Sequence, residues 1–295
     1  MQFTSKDHSA RMPLLSIIIP TYNSASCVER CLESILLQDF QEFEILIQDG
    51  LSTDNTIDIV KRKQFQNLSA LIYLWEEKDS GIYDAMNMAI KKAKGEWLLF
   101  LGSDDIIFDE SVLKKVSAEL KKTKYKIVYG SAKINGSAGW AMDSDIYDGP
   151  FNLGKLLQKN ICHQAIFYRR EIFTEIGYYN IDYPICADYE FNLRCYARYK
   201  FKFIETIISS FNGGGTSILN IDENFAKDKE QIIISNFSKV LYRKEFRPFK
   251  SIIRKLIFSR NYNKGIGSRV LLFINFLTLQ FHSIKAKVFS DPNSA

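Results

Sequence analysis

Four short apolar runs, each closing on polar or glycine residues and each separated from the next by a helical pattern, constrain this chain more than any other feature. Residues 16–20 (SIIIP), 43–47 (FEILI), 70–75 (ALIYLW) and 97–101 (WLLFL) are near-continuously apolar rather than alternating. That is the pattern of strands covered on both faces, as in a parallel sheet. Between them, residues 26–37, 55–63 and 82–94 carry apolar side chains at helical spacing, with Asn23 and Ser24 available to cap the first helix and Gly95 following the third. The alternation predicts βαβ units and an α/β fold. It also sends residues 20–24, 49–54, 76–81 and 102–105 to the C-terminal ends of strands, where open α/β sheets bind their ligands.

The second half is less regular. Residues 126–134, 165–168 and 203–210 read as strands, 153–159 and 188–197 as helices, and the last strand runs into the loop 212–217 (NGGGTS). From about residue 224 the pattern is helical, and no repeat or low-complexity linker interrupts it. The 295 residues allow one large domain or two smaller ones.

Asp104 and Asp105 follow the run WLLFLGS, where two adjacent carboxylates are costly to withdraw from water unless a cation or a donor meets them. Mn²⁺ or Mg²⁺ suits such a site, since these ions are held by one or two carboxylates together with substrate phosphates. The plainer alternative is a turn in which Asp104 caps the next segment.

The segments SIIIPTYNSASCVERCLESILLQ, EILIQDGLSTDNT, EKDSGIYDAMNMAIKKAKGEWLLFLGSDD, HQAIFYRR and ADYEFNLR, in that order over residues 14–217, resemble the family 2 nucleotide-sugar glycosyltransferases of GT-A fold, of the bacterial polysaccharide or O-antigen type. The resemblance implies a Rossmann-like, mostly parallel central sheet flanked by helices. It implies an N-terminal tail over 1–13, a catalytic domain over 14–223 and a C-terminal helical extension over 224–295. By the same resemblance Pro20, Thr21, Tyr22 and Asn23 surround the nucleotide, Asp49 hydrogen-bonds the base, and Asp79, Tyr83 and Asn87 lie over the donor pocket. Ser103 stands where the family's Asp-x-Asp motif has its first Asp, which leaves Asp104 near the ribose and sugar and Asp105 on the metal. His163 and Gln164 match a pair lining the donor sugar, and Asp188 matches the general base. The chemistry suits these roles. An inverting transfer needs one carboxylate to take the acceptor's proton and a cation to neutralise the departing diphosphate, with no enzyme nucleophile. Each residue also has a structural alternative: Asp188 and Asp79 can be helix caps, His163 a satisfied core residue, and Asp182 and Glu190 compete with Asp188.

Charge separates the extension from the body. Residues 239–295 hold 12 Lys and Arg against Glu245 and Asp291, so the chain's net +5 divides into +10 there and −5 over residues 1–238. Phe249, Ile252, Ile253, Leu256 and Ile257 define one face of a basic amphipathic helix. Residues 270–284 (VLLFINFLTLQFHSI) form an apolar stretch too short to span a bilayer, with Asn275, Thr278 and His282 as a polar stripe. Both suit an anionic membrane surface, or packing on the body or on a second copy in a homo-oligomer. An acidic body whose aromatic residues are not interleaved with basic ones argues against nucleic acid. A polar N-terminus without a secretory run, and five cysteines (Cys27, Cys31, Cys162, Cys186, Cys195) without paired spacing, predict a cytoplasmic protein, peripheral on the inner face of the cell membrane. The expected function is transfer of a hexose or N-acetylhexosamine from a nucleotide-diphosphate sugar, UDP first, to a hydroxyl of a lipid-linked glycan. The alternatives are a sugar nucleotidyltransferase and a non-catalytic membrane-binding protein.

Overall fold

The apolar runs become the first four strands of one sheet: β1 (Leu15–Thr21), β2 (Phe43–Asp49), β3 (Leu71–Glu76) and β4 (Trp97–Phe100), linked by α1 (Val28–Leu36), α2 (Thr56–Gln66) and α3 (Ile82–Lys92). The computed structural model describes residues 12–136, 142–213, 221–258 and 270–280. These strands pair in parallel in the order β3-β2-β1-β4, and the register sets Thr21 beside Asp49 and Asp49 beside Glu76. Because side chains alternate across a sheet, Ile18, Leu46, Leu98 and Phe100 enter one hydrophobic cluster while Ile17, Ile19, Ile45, Ile47 and Leu99 enter another on the opposite face.

Downstream follow β5 (Ile106–Ile107), α4 (Val112–Leu120), β6 (Ile127–Asn135), β7 (Ile146–Tyr147), α5 (Leu153–Leu156), β8 (Ile166–Arg169), α6 (Glu171–Ile176), α7 (Ala187–Tyr196) and β9 (Phe201–Asn212). The sheet continues β4-β8-β6-β9-β5, with β7 on β6. Here β8 runs antiparallel to both β4 and β6, and β9 parallel to β6. This half carries strands of both senses beside the all-parallel half. The strand expected at 165–168 starts at Ile166 because His163–Ala165 forms a 3-10 turn. The last strand is longer than its apolar run because it pairs with β6 through two register shifts and out to Asn212.

The C-terminal helices α8 (Glu223–Asn236) and α9 (Lys250–Phe258), and a helix over residues 270–280, join the same cluster as the α3 face of the sheet. Phe246, Ile253, Leu272 and Leu279 are wholly buried. At about 1.5–3 kcal/mol each, four such side chains match the net stability of a typical domain, so these helices belong to its core. The face of α9 carrying Ile252, Ile253 and Ile257 packs on the body rather than facing out.

The expected polar stripe on the 270–280 helix is corrected. Asn275 is 2% exposed; its Nδ2 donates to Ser238 O and Leu271 O, and its Oδ1 accepts from Tyr242 N. The polar residue faces inward because it closes backbone groups of the preceding segment, and Val270, Phe273, Ile274 and Leu277 face outward at 44–53% exposure. No described helix is long and apolar enough to cross a membrane. His282, residues 1–11 of the N-terminal tail and residues 214–217 of the Gly-rich loop lie outside the described residues.

Candidate active site

The loops after β1, β2 and β4 meet at one end of the sheet. Thr21 Oγ1 donates to Asp49 Oδ2 at 2.7 Å, Ser52 Oγ donates to the same oxygen at 2.6 Å, and Ser52 N donates to Asp49 Oδ1 at 2.7 Å. Asn23 ties the first loop to the second, its N donating to Ser52 Oγ at 2.8 Å and its Oδ1 accepting Thr53 N at 2.9 Å. Thr21, Asn23 and the fully buried Asp49 therefore brace two loops, Pro20 is buried in β1, and Tyr22, 64% exposed, stands at the surface with Asn23. Asp79 closes over them. A Cβ on Gly50 would lie 2.7 Å from Asp79 Oδ2, and Asp79 Oδ1 accepts Gly81 N at the start of α3.

The acid pair after β4 is drawn tight by Gly102, where a Cβ would meet Asp105 Oδ2 at 2.7 Å and Asp104 Oδ1 at 2.9 Å. Asp105 is 2% exposed. Its Oδ2 accepts Gly102 N at 3.1 Å and Gln164 Nε2 at 2.8 Å, and its Oδ1 accepts Asn212 N at 3.0 Å. Burial first, and then the Asp104 charge, push the Asp105 carboxyl up to about 7 despite those donors. Asp104 is half-buried and accepts Asn212 Nδ2 at 3.3 Å, while Ser103 Oγ donates to Ser24 Oγ at 2.9 Å. Two adjacent acids met only by neutral donors fit a divalent cation, whose charge would offset the cost of withdrawing them from water. Among the described residues no group of three or more His, Cys, Asp or Glu side chains could hold a metal alone, so such a cation would share its coordination with the donor's phosphates.

Asp188 sits in the first turn of α7, half-buried. Tyr83 OH lies 2.8 Å from its Oδ1, and Asn160 Nδ2 donates to its Oδ2 at 2.7 Å. Burial pushes its carboxyl up to about 6, against the lowering effect of Tyr83, of the backbone N–H groups of Tyr189 and Asp188, and of Asn160. The competitors are otherwise engaged: Glu190 accepts two bonds from Arg194 Nε, and Asp182 is exposed outside this cluster.

Two residues expected at the donor are spent inside the protein. His163 Nε2 lies 2.8 Å from Tyr179 OH, its ring stacks on Phe100, and burial lowers its pKa to about 3, so it stays a neutral core residue. Asn87 gives both ends of its amide to the Tyr179 backbone. Gln164 reaches Asp105 directly.

Residues 16–177 match the family described as Glycosyl transferase family 2. The chain belongs to glycosyltransferase family 2. It is 39% identical over 220 residues to a PGL/p-HBAD biosynthesis glycosyltransferase of Mycobacterium tuberculosis (strain ATCC 25618 / H37Rv), covering 73% of this chain and 83% of that protein. It is 28% identical over 215 residues to the chondroitin synthase of Escherichia coli, covering 72% of this chain and 31% of that one. In fold this transferase is similar to S. aureus TarS 1-349 in complex with UDP, with a TM-score of 0.57, 20% identity and coverage of 92% and 91% of the two chains. It is also similar to the mannosyltransferase PcManGT of Pyrobaculum calidifontis in complex with GDP-Man and Mn2+, at a TM-score of 0.55, 16% identity and coverage of 96% and 82%. The nucleotidyltransferase and non-catalytic alternatives fall with this assignment.

Two side chains of the transferase site, Asn160 and Asn192, carried no signal in the sequence. Asn212 donates to both acids of the Asp104–Asp105 pair, Asn160 to Asp188, and Asn192 to Asn160. Asn212 had one faint mark, its place at the end of a strand before a Gly run.

Proposed function

We propose that this transferase works with inversion, moving a hexose or N-acetylhexosamine from a nucleotide-diphosphate sugar, best a UDP-sugar, to a hydroxyl of a lipid-linked glycan in cell-surface polysaccharide synthesis at the cytoplasmic face of the membrane. The observation that carries the reading is the separation of two buried carboxylate centres, one a like-charged pair and one a lone acid. Asp188, with a carboxyl titrating near 6 and oxygens held by neutral donors, is suited to take the acceptor hydroxyl's proton as that oxygen bonds to the anomeric carbon and the bond to the diphosphate breaks. Asp105, with Asp104 beside it, would hold Mn²⁺ or Mg²⁺, which would supply positive charge for the departing diphosphate. Exposed Tyr22 would lie against the nucleotide, with the Asp49 turn behind it. UDP is preferred because the fold neighbour TarS was solved with UDP.

The membrane part of the proposal rests on the outward face Val270, Phe273, Ile274 and Leu277, since a surface helix with an apolar outer face needs a cover. Exposed Arg243, Lys244, Arg254 and Lys255 on the neighbouring segments favour an anionic lipid surface as that cover, at about 1 kcal/mol each near the headgroups.

The test is calorimetric titration with UDP, GDP and ADP, with and without Mn²⁺, followed by transfer assays with the matching sugars. Binding confined to UDP and strengthened by Mn²⁺ supports the donor, and binding of none rejects it. Flotation with phosphatidylglycerol vesicles should be lost in the Phe273→Ser/Leu277→Ser variant. A vesicle-free dimer that the variant dissolves would identify a second copy as the cover instead.

A further inference from the structure

Asn160 belongs to no motif, yet its side chain is the closest donor to the acid proposed as the base. A carboxamide can present either end to a neighbour, and at Asn160 the choice is made from behind. Asn192 Nδ2 donates to Asn160 Oδ1 at 2.8 Å, and Asn192 Oδ1 accepts Tyr168 OH at 2.7 Å. Asn192 and Tyr168 are wholly buried, away from bulk solvent. With Asp188 ionised, and therefore acceptor-only, every member of the chain Tyr168–Asn192–Asn160–Asp188 has its donor matched to an acceptor in one direction. Flipping either amide would set two oxygens or two NH₂ groups face to face.

The titratable side chains that feel the Asp188 charge are neutral, with Lys229 of α8 one layer further out, over the Tyr189 ring. Tyr83 approaches from α3, Tyr147 from β7, Cys162 from the segment before β8, and Cys186 and Tyr189 from the start of α7. All are thiols or phenols that burial keeps protonated, as are Tyr168 and Tyr179 behind them. Among the described residues no cation contributes to the state of Asp188; Tyr83, the backbone N–H groups of Tyr189 and Asp188, and Asn160 favour its charged form.

We infer that Asn160, locked in one orientation by Asn192 and Tyr168, is a positioning residue that holds Asp188 as an oriented, ionised carboxylate. The inference rests on the reading of Asp188 as the base. Removing the donor, or the tether that aims it, should favour the protonated acid.

The experiment follows the Asp188 carboxyl by ¹³C NMR in the metal-free, ligand-free full chain, with Asp188→Asn assigning the resonance. Asn160→Ala should raise the titration midpoint by about half a pH unit and shift the acid limb of kcat/KM upward equally, with KM for the donor above that limb unchanged. Asn192→Leu, which keeps the Asn160 amide but removes its tether, should do the same in part, and it carries the test if Asn160→Ala does not fold. An unmoved midpoint in a folded variant overturns the inference. Full transfer by Asp188→Asn would instead overturn the base reading, whatever the NMR titration shows.

Discussion

Asp105 and Asp188 are both carboxylates withdrawn from water in the same end of one sheet, and their surroundings differ in kind. Asp105 takes two backbone N–H groups and Gln164, and it has a second acid at its side. Asp188 also takes backbone N–H groups, those of Tyr189 and Asp188, together with Tyr83 and Asn160, but it has no acid among the causes of its shift. One five-residue segment serves both: Asn160 reaches Asp188 and Gln164 reaches Asp105. Each amide is aimed from behind, Asn160 by Asn192 and Gln164 by Cys162, whose Sγ lies 3.2 Å from Gln164 Oε1. The difference teaches that burial alone does not assign a role. A like-charged pair calls for a cation, whereas a lone acid among neutral donors, titrating near neutrality, can exchange a proton.

The comparison breaks most sharply at Asp188. Asp188→Asn should lower transfer by about 10²–10⁴-fold while leaving Mn²⁺-dependent UDP binding near wild type, measured by calorimetry and product formation. If UDP binding fell with it, the two centres would not be separate. Asp105→Ala should do the reverse first, weakening UDP binding in Mn²⁺ by at least about tenfold and abolishing the difference between titrations with and without the metal. The third prediction concerns pH. Because the base must be ionised, kcat/KM should fall as pH drops through about 6, by about tenfold per unit below it, and the residual rate of Asp188→Asn should be flat across that range. A limb near 4, the ordinary carboxylate value, would remove the distinction that burial makes.

How far these centres were legible follows from what kind of signal each part leaves. Strands β1, β2 and β4 read off the chain because parallel strands covered on both faces are uninterrupted apolar runs, and Asp49, Asp104 and Asp105 stand out where those runs stop; β3 reads the same way although it is the half-exposed edge strand. Asp188 had no such position and emerged from the resemblance. Asn160 and Asn192 were invisible, and Asn212 was marked only by the Gly run after it. A neutral amide breaks no apolar pattern, and each meets its partner only through the tertiary fold, in which β8 lies between β4 and β6, β9 lies beside β6, and Asn192 comes in on α7. The 270–280 helix shows the converse failure. Asn275 was conspicuous as a polar residue in an apolar stretch, but its destination depended on the orphan backbone groups at Ser238 and Tyr242, which no periodicity reveals.

His163 sharpens the comparison with the smallest effect, because it lies on the shared segment between the two amides and points to neither acid. Burial holds it neutral down to about pH 3, against an ordinary value of 6.5 in the unfolded chain. Between those values the unfolded state takes up a proton that the folded state refuses. Its contribution is therefore fully present above pH 6.5 and is lost as pH falls toward 3. His163→Phe would keep the stack on Phe100 and lose the bond to Tyr179, costing about 1 kcal/mol at pH 7.5. Because phenylalanine cannot protonate, the variant should close that gap as pH falls below 6.5, by up to about 1.4 kcal/mol per unit in denaturant melts. Transfer at pH 7.5 should stay within about threefold of wild type, since nothing in this bond touches either carboxylate. A loss approaching that of Asp188→Asn would give the segment a third contact with the chemistry, and the two centres would then have to be read as one.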